Sequence, residues 1–260
     1  MELLNLSEAG AKNLFKDICL VATDMDGTLT QEGKFSSGLL KALENLARAD
    51  IRVLIVTGRS AGWVSGISSL MPVVGAIAEN GGLFFSQGSD VPICLSGIEN
   101  FSLHRQQLAS VFDTLKSRFP NIKESADNIF RLTDWTFDVA GLSPKDLDIL
   151  SELCYTMGWS FTYSSVQCHI KPQTQDKAAG LLAVVRDFFP NISSQEIITV
   201  GDSPNDESLF NSEIFPISVG VANILKYTDK LIYKPVYITT ASEGAGFCEL
   251  ANFLLFSKTQ

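Results

Sequence analysis

Residues 17–28 read DICLVATDMDGT, and they are the most informative segment for the class of fold. The apolar run over 17–23 is typical of a strand that is buried on both faces of a parallel sheet. The run stops at Asp24, and Asp26 follows two residues later. The sequence therefore predicts a buried strand with two carboxylates at its carboxyl end.

Similar apolar runs that end in polar residues follow along the chain. After a helical pattern, residues 51–56 (IRVLIV) form a second apolar run that ends in Thr57-Gly58-Arg59. Near the other end of the chain, a predicted helix over 176–189 precedes the run 196–200, which ends in Gly201-Asp202. This alternation of helices and strands predicts an α/β fold with a doubly wound, Rossmann-like parallel sheet.

The middle of the chain has a different order of predicted elements, α-β-β-α-β-β. The helices are expected over 104–119 and 145–157, and the strands near 122–124, 129–139, 159–163 and 166–171. This order fits a small sheet with helices on one face. We therefore predict an inserted α+β domain at residues 97–172, within a discontinuous core domain of residues 1–96 and 173–260.

The composition limits the classes of partner. The chain has 260 residues, 45% of them hydrophobic, and a formal net charge of −9. Because that charge repels polyphosphate backbones, we expect no nucleic-acid partner. No run of 18 apolar residues occurs, which predicts no membrane span. The five cysteines are scattered and the first 16 residues do not resemble a secretory signal, so we expect reduced cysteines and a cytoplasmic location.

Polar residues collect where the predicted strands end. In a doubly wound sheet, ligands bind at the carboxyl ends of the strands. An acidic turn would by itself explain Asp24-Met25-Asp26-Gly27, because Asp and Gly form turns readily. Its combination with the segment Gly-Asp-x-x-Asn-Asp at 201–206 favours a functional site instead. The residues at the predicted strand ends are Asp24, Asp26, Thr57, Glu79, Asn80 and Asp202.

Four segments carry a resemblance to a known family, the haloacid dehalogenase-like superfamily. They are DMDGT at 24–28, TGR at 57–59, Lys177 before a helix, and GDSPND at 201–206. The likeness covers nearly the whole chain. The place and the element order of the insertion are similar to the subgroup with a C2B-type cap domain. That subgroup includes Cof-type sugar phosphatases, sucrose-phosphate phosphatase and phosphomannomutase, and VGVAN at 219–223 and EGAGF at 243–247 also resemble its segments.

The resemblance implies a Mg²⁺-dependent phosphatase that forms an aspartyl-phosphate. Asp24 is expected to be the nucleophile and, with Asp202, a carboxylate ligand of the ion, and the family pattern adds the main-chain carbonyl of Asp26. Asp26 is also expected to protonate the leaving alkoxide and then to take a proton from the attacking water.

Further residues are expected around the substrate phosphate. Thr57, Gly58, Lys177 and Asn205 are predicted to bind it, and Asp206 to orient metal-bound waters as a carboxylate outside the metal ligands. Arg59 has two alternatives, a contact with substrate or a pair with a carboxylate. We interpret Glu79-Asn80-Gly81-Gly82 as a turn and leave it out of the catalytic set.

Three functions remain open at this point. The first is a phosphatase that acts on a phosphorylated sugar or a similar small metabolite. We expect this enzyme to be a monomer or a small homo-oligomer. The second is a phosphohexomutase similar to phosphomannomutase, which DMDGTLT favours and the intact TGR segment opposes. The third is a non-catalytic protein that binds a phosphorylated metabolite. The candidates for sugar contacts in the inserted domain are Arg131, Asp134, Trp135, His169 and Lys171.

Overall fold

The computed structural model describes residues 3–6, 14–89 and 91–258. The strands are β1 (Leu4–Asn5), β2 (Leu20–Thr23), β3 (Arg52–Val56), β4 (Gly75–Ala78), β5 (Leu83–Ser86), β6 (Ile93–Cys94), β7 (Trp135–Asp138), β8 (Trp159–Tyr163), β9 (Gln167–Pro172), β10 (Ile197–Gly201), β11 (Ile217–Gly220) and β12 (Tyr237–Ile238). The α-helices are α1 (Ser37–Arg48), α2 (Ala61–Leu70), α3 (Phe101–Arg118), α4 (Pro144–Thr156), α5 (Lys177–Phe188) and α6 (Glu243–Lys258). None of the helices in these ranges combines the length and the apolar character that crossing a bilayer requires.

The larger sheet has nine strands in the order β1-β12-β11-β10-β2-β3-β4-β5-β6. Neighbouring strands from β1 to β4 are parallel, and β5 and β6 continue the sheet as antiparallel strands. The prediction of an α/β fold with a doubly wound parallel sheet is confirmed. Since β10, β2, β3 and β4 are neighbours, the residues that follow these four strands meet at one edge of the sheet.

Alternate residues of the central strands pack on opposite faces of the sheet. Val21 and Ile55 belong to a core cluster with residues of α1, α2 and α6. Leu20 and Leu54 belong to a second cluster, which contains Leu181 of α5. Side chains alternate across a strand, so a strand that is covered on both faces needs an uninterrupted apolar sequence. This two-sided burial explains the apolar runs.

The cap domain is built on a separate antiparallel sheet of three strands in the order β7-β9-β8. Helices α3 and α4 contribute Leu108, Phe112 and Leu150 to a core that also contains Phe137 and Ile170 of the sheet. This core shares no residue with the two clusters around the large sheet. The predicted α+β cap is therefore present, while the boundaries given as 97 and 172 stay a prediction.

Two predicted strands of the cap differ from the structure. Residues 122–124 form no strand, although Glu124 makes an isolated bridge with Phe137. The strand expected over 129–139 is limited to Trp135–Asp138, because residues Ala126–Phe130 form a 3₁₀ helix. The Asn128 side chain explains the difference: its amide donates to the carbonyl of Thr136 and its oxygen accepts from the Thr136 N–H. The Thr136 carbonyl also accepts from the Ser125 N–H at 3.1 Å, so residues 123–125 pair with β7 over a short stretch only.

Candidate active site

Three carboxylates meet at the carboxyl edge of the large sheet. Asp24 follows β2, and Asp202 and Asp206 follow the adjacent strand β10. Each offers one oxygen, and these oxygens all lie within 4.8 Å of one another. All three residues are buried, with at most 3% of their surface exposed. Residues about 180 positions apart in sequence therefore form one acidic cluster, as the prediction for Asp24 and Asp202 requires.

Lys177 supplies positive charge to this cluster. It is the first residue of α5 and is fully buried. Its Nζ donates to Asp24 Oδ1 at 2.5 Å and to Asp206 Oδ1 at 2.6 Å. Burial lowers the pKa of Lys177, but the Asp206 and Asp24 charges more than compensate and raise it above the ordinary value. Lys177 is therefore an ammonium ion at neutral pH.

One lysine does not neutralise three buried carboxylates. Desolvation raises the pKa of Asp24 to about 7, because burial disfavours the ionised carboxyl group more than the Lys177 ammonium stabilises it. Burial, followed by the Asp24 and Asp206 charges, also raises the pKa of Asp202 well above its ordinary value. The cluster therefore has an excess of negative potential that a further cation would relieve.

The raised pKa of Asp24 predicts how stability depends on pH in the absence of a divalent ion. The ordinary pKa of aspartate is near 3.9, so the folded state holds this proton more tightly than the unfolded state does. The resulting stabilisation is complete at low pH and is lost as the pH rises through about 7. With EDTA present, we expect this residue to lower the free energy of unfolding by about 2 kcal/mol between pH 5 and pH 8.

Urea unfolding of the native protein and of Asp24→Asn, followed by circular dichroism at pH 5, 6, 7 and 8, measures this effect. The Asn variant is the control, because it keeps the shape of the side chain and cannot titrate. A difference between the two proteins that stays constant over this pH range, or that grows in favour of the native protein at high pH, would contradict the prediction.

Gly27 and Asn223 shape the space around Asp202. Gly27 has a φ of 77°, and a Cβ built on it would lie 2.5 Å from Asp202 Oδ2, so only glycine fits there. The Asn223 side chain donates to Asp202 Oδ2 at 2.7 Å and to the Gly27 carbonyl at 3.0 Å. The Thr28 hydroxyl donates to Asp202 Oδ1 at 3.3 Å. Asn223 is the last residue of the segment VGVAN, and no role was predicted for it from the sequence.

Asp206 lies in the cluster itself. Its Oδ2 accepts from the N–H groups of Asp202 at 2.9 Å and of Ser203 at 3.1 Å, while its Oδ1 accepts from Lys177. These bonds fix the turn that carries Asp202, so Asp206 has a clear structural role. Its predicted role toward metal-bound water stays a prediction.

The Asp26 carboxylate is paired with Arg59 and is not one of the three acids of the cluster. Arg59 Nε lies 2.8 Å from Asp26 Oδ2, and Arg59 Nη2 lies 2.6 Å from Asp26 Oδ1. The guanidinium group also lies over the ring of Trp63, 4.8 Å from its centroid. Of the two alternatives for Arg59, the structure has the pair with a carboxylate. The roles predicted for Asp26 as proton donor and for its main-chain carbonyl as ligand stay predictions.

The residues predicted to bind phosphate lie beside the cluster. Thr57 follows β3, and its hydroxyl accepts from the Arg59 N–H at 3.2 Å. Asn205 donates to Asn80 Oδ1 at 3.2 Å, which joins the turn after β4 to the turn after β10. Gly58 and Asn205 line a small cavity that Asp24 also lines. The structure therefore brings the predicted phosphate-binding residues to one place.

This cavity lies between the large sheet and the cap and has a volume of only about 20 Å³. The cap side of its wall comes from β9 and from the loop before it, through Ser164, Gln167 and His169. A separate cavity of about 390 Å³ opens between the cap and the core, and its lining includes Phe161, Tyr163, Glu207 and Lys230. The cap therefore covers the acidic cluster closely and leaves more room beside it.

Of the five cap residues proposed for sugar contacts, only His169 lines the small cavity. Its Nδ1 lies 2.8 Å from Asp134 Oδ2. Arg131 is buried, and its Nη1 donates to both oxygens of Asp134 and to the Gly58 carbonyl. Lys171 is buried and donates to the carbonyl of Gln175. Arg131, Asp134 and Lys171 therefore hold the cap together and attach it to the core.

Trp135 also has a structural position. It packs against the apolar core of the cap, and the Arg105 guanidinium lies over its ring, 4.3 Å from the centroid. Arg131 of the cap also reaches the predicted phosphate-binding turn, through its bond to the Gly58 carbonyl.

Glu79 is a residue whose importance the sequence analysis missed. Its side chain is fully buried, and its carboxylate accepts from the N–H groups of Ala61, Leu132 and Thr133 and from the Thr133 hydroxyl. Ala61 belongs to the core and the other two residues lead into β7 of the cap. The turn predicted at this segment is present, with positive φ at Glu79. The carboxylate in this turn fastens the cap to the core.

Comparisons with known proteins agree with this geometry. A model of the haloacid dehalogenase-like hydrolase family matches residues 21–134. A phosphoglycolate phosphatase of Metallosphaera sedula is 27% identical over 243 residues, which cover 92% of this chain and 99% of that protein. Solved structures with a similar fold include a Thermoplasma acidophilum protein, with 20% identity, a TM-score of 0.72 and coverage of 92% of this chain and 99% of that one. Another is the sucrose-phosphatase of Synechocystis, with 18% identity, a TM-score of 0.67 and coverage of 92% and 98%.

Over residues 21–134 the chain is thus similar to haloacid dehalogenase-like hydrolases, and its fold, with an inserted α+β cap, is the fold of these solved structures. The family match begins one residue after the start of β2 and includes the turns that carry Asp24, Thr57 and Glu79. The relatives named phosphoglycolate phosphatases are phosphoric monoester hydrolases.

Proposed function

We propose that this protein is a Mg²⁺-dependent phosphatase that hydrolyses a small phosphomonoester through an aspartyl-phosphate on Asp24. The observation that supports this most is the buried cluster of Asp24, Asp202 and Asp206 with Lys177 bonded to two of its members. A carboxylate nucleophile, oxygen donors for a cation and an ammonium group for the phosphate thus lie within one small volume, as phosphoryl transfer requires.

The residues of the cluster fit a hard divalent cation. All donors are oxygen atoms, which Mg²⁺ prefers, and the three buried carboxylates exceed the single ammonium group bonded to them. Asp24 and Asp202, together with the main-chain carbonyl of Asp26, are the residues proposed to hold it. When bound, Mg²⁺ would neutralise oxygens of the substrate phosphate and so allow a carboxylate to approach phosphorus.

Each of these residues has a role in the proposed reaction. An oxygen of Asp24 forms a bond to phosphorus while the bond from phosphorus to the leaving oxygen breaks, and Asp26 gives that oxygen a proton. Water then attacks phosphorus, Asp26 takes its proton, and the bond between Asp24 and phosphorus breaks. Thr57, Lys177 and Asn205 hold the phosphate oxygens throughout, and Gly58 lies in the same phosphate-binding turn.

Two classes of leaving group are candidates. The sequence resemblance implies a sugar, and the cavity of about 390 Å³ between the cap and the core, whose lining includes Tyr163 and Lys230, has the volume for one. The curated relatives are named phosphoglycolate phosphatases, which supports glycolate as a second candidate leaving group. We propose small phosphorylated metabolites as the substrate class, with both kinds of compound tested.

The experiment is a panel of phosphomonoesters, including hexose 6-phosphates, glycerol phosphates and 2-phosphoglycolate, assayed for phosphate release with Mg²⁺ and with EDTA. We expect turnover of at least one member that requires Mg²⁺. If the native protein released no phosphate from any member, the proposal would be wrong.

The two alternative functions make different predictions in the same assay. A phosphohexomutase would convert a hexose 1-phosphate into the 6-phosphate faster than it releases phosphate. A non-catalytic binding protein would release no phosphate. Beryllium fluoride with Mg²⁺ mimics a phosphorylated aspartate, so it should raise the midpoint of thermal unfolding of the native protein and should leave that of Asp24→Asn unchanged.

A further inference from the structure

Two segments singled out in the sequence, VGVAN at 219–223 and EGAGF at 243–247, have no part in the proposed reaction. In the folded chain they meet beside the acidic cluster. Asn223 ends the first segment and follows β11, the neighbour of β10 in the large sheet, while Glu243 begins α6. The Asn223 Oδ1 accepts from the Glu243 N–H at 2.9 Å. The two segments are therefore joined next to the turn that carries Asp202.

Three partners fix the orientation of the Asn223 amide. Its oxygen faces the Glu243 N–H, and its nitrogen donates to Asp202 Oδ2 at 2.7 Å and to the Gly27 carbonyl at 3.0 Å. A flipped amide would place its oxygen against two other oxygens and its nitrogen against an N–H group. Only one orientation therefore satisfies all three contacts. In that orientation the two N–H bonds of the amide reach two different turns.

The start of α6 gives Asn223 a fixed support. The Gly244 N–H donates to the Thr30 carbonyl at 3.0 Å. The Glu243 carboxylate accepts from the Glu32 N–H at 2.9 Å. Both bonds attach the first turn of the helix to the chain that follows the turn after β2. The Glu243 N–H is thus held in place when it donates to Asn223.

The two turns that Asn223 joins are those that carry the proposed metal ligands. Asp202 is a proposed ligand after β10, and Gly27 directly follows Asp26, whose main-chain carbonyl is a proposed ligand after β2. The turns also carry the buried carboxylates of Asp24 and Asp202, which repel each other at short range. A side chain that donates to both turns holds them together before a cation binds. Less ordering then accompanies the binding of the cation, which raises its affinity.

We propose that Asn223 is a positioning residue for the divalent cation, which holds the turns of Asp202 and Gly27 at the separation that the ion requires. This inference rests on the proposed Mg²⁺-dependent function and adds a residue that acts through the ligands of the ion. Bonds to the outer oxygen of a metal ligand fix its direction and contribute to metal affinity. Loss of the amide should therefore weaken cation binding and leave the chemical step nearly unchanged once the ion is bound.

The direct test measures cation binding without substrate. MnCl₂ is added to the native protein, to Asn223→Ala and to Asn223→Leu, and the electron paramagnetic resonance signal gives the concentration of free Mn²⁺, which takes oxygen ligands as Mg²⁺ does. We expect the Kd for Mn²⁺ to rise about 10- to 100-fold in both variants, because a group that orients a metal ligand is lost. Leucine fills nearly the volume of the amide, so a loss in both variants assigns the effect to the hydrogen bonds.

The rate of phosphate release gives a second readout. The Mg²⁺ concentration for the half-maximal rate should rise by the same factor as the Kd, while kcat at saturating Mg²⁺ should stay near the native value. Asn191→Ala is the control, because it changes an exposed asparagine in the turn after α5 and should leave both quantities unchanged. Thermal unfolding in EDTA shows which variants are folded. If neither Asn223→Ala nor Asn223→Leu folds, Asn223→Ser, which keeps a hydroxyl donor, decides by its Kd for Mn²⁺.

A native Kd for Mn²⁺ in the folded variants would overturn the inference. So would a lower midpoint of unfolding in EDTA without a change in Kd, since Asn223 would then only support the fold. A loss of kcat that saturating Mg²⁺ does not restore would also overturn it. Those outcomes leave the proposed phosphatase function intact. A native protein that binds no Mn²⁺ and releases no phosphate from any ester would instead contradict the proposed function, and the inference with it.

Discussion

Asp24→Asn is expected to lower kcat for phosphate release by roughly 10⁴-fold or more, with the fold preserved. The variant lacks the carboxylate that we propose forms the bond to phosphorus. Its neutral amide also cannot supply the negatively charged oxygen proposed to bind the metal ion. The amide has the same shape and enters a buried site where desolvation already raises the pKa of Asp24 to about 7. We therefore expect the variant to be folded, and initial-rate assays on the best substrate measure the loss.

The matched control for this prediction is Asp113→Asn. Asp113 is an exposed aspartate on α3, in the cap and away from the acidic cluster. The control makes the same substitution of a carboxylate by an amide, and we expect it to release phosphate at the native rate. Circular dichroism would test whether both variants are folded. If Asp24→Asn retained more than a tenth of the native rate, another group would have to be the nucleophile.

Lys177→Met is expected to destabilise the protein and to reduce its activity. Lys177 bridges Asp24 and Asp206 through bonds of 2.5 and 2.6 Å and has no exposed surface. Its removal leaves two buried carboxylates without their common partner, and breaking a buried ion pair in this way costs about 3–5 kcal/mol. We expect a loss of this size in the free energy of unfolding, measured with urea at pH 8 in EDTA. The rate of phosphate release should fall roughly 10²- to 10³-fold, because an ammonium group directed at the phosphate is lost.

The control for the lysine is Lys41→Met, an exposed position on α1. This variant makes the same substitution at the surface, and we expect it to lower the free energy of unfolding by less than about 0.5 kcal/mol. Saturating Mg²⁺ should restore part of the stability of Lys177→Met, since a cation again lies among the carboxylates. A Lys177→Met protein as stable and as active as the native one would rule out both roles of this residue.

The core strands were predictable from the sequence because the signal for each one lies in a few consecutive residues. A strand covered on both faces needs consecutive apolar residues, and β2, β3 and β10 have them. Observed bounds such as Arg52–Val56 therefore lie close to the predicted run 51–56. The cap strands were less predictable, because the 3₁₀ helix Ala126–Phe130 interrupts the predicted strand and the Asn128 side chain bonds both backbone groups of Thr136.

The candidate site was predictable to the extent that it follows from strand ends. Parallel strands bring their carboxyl ends to one edge, so Asp24 and Asp202 had to be neighbours once β2 and β10 were adjacent. The hydrogen bonds of Lys177 to Asp24 and Asp206 could not be predicted from the positions of the strand ends. They depend on how α5 packs under the sheet, and several other lysines occur in the sequence.

Local apolar patterns and short motifs were thus enough to establish the α/β class, the inserted cap and the group of acids at the sheet edge. The partners of Arg59 and Glu79 depended on the folded chain. Arg59 meets a carboxylate 33 residues away, and Glu79 accepts N–H groups 53 and 54 residues away in the cap. Contacts of this kind result from the packing of one domain against another, and no local pattern in the chain encodes which side chains that packing brings together.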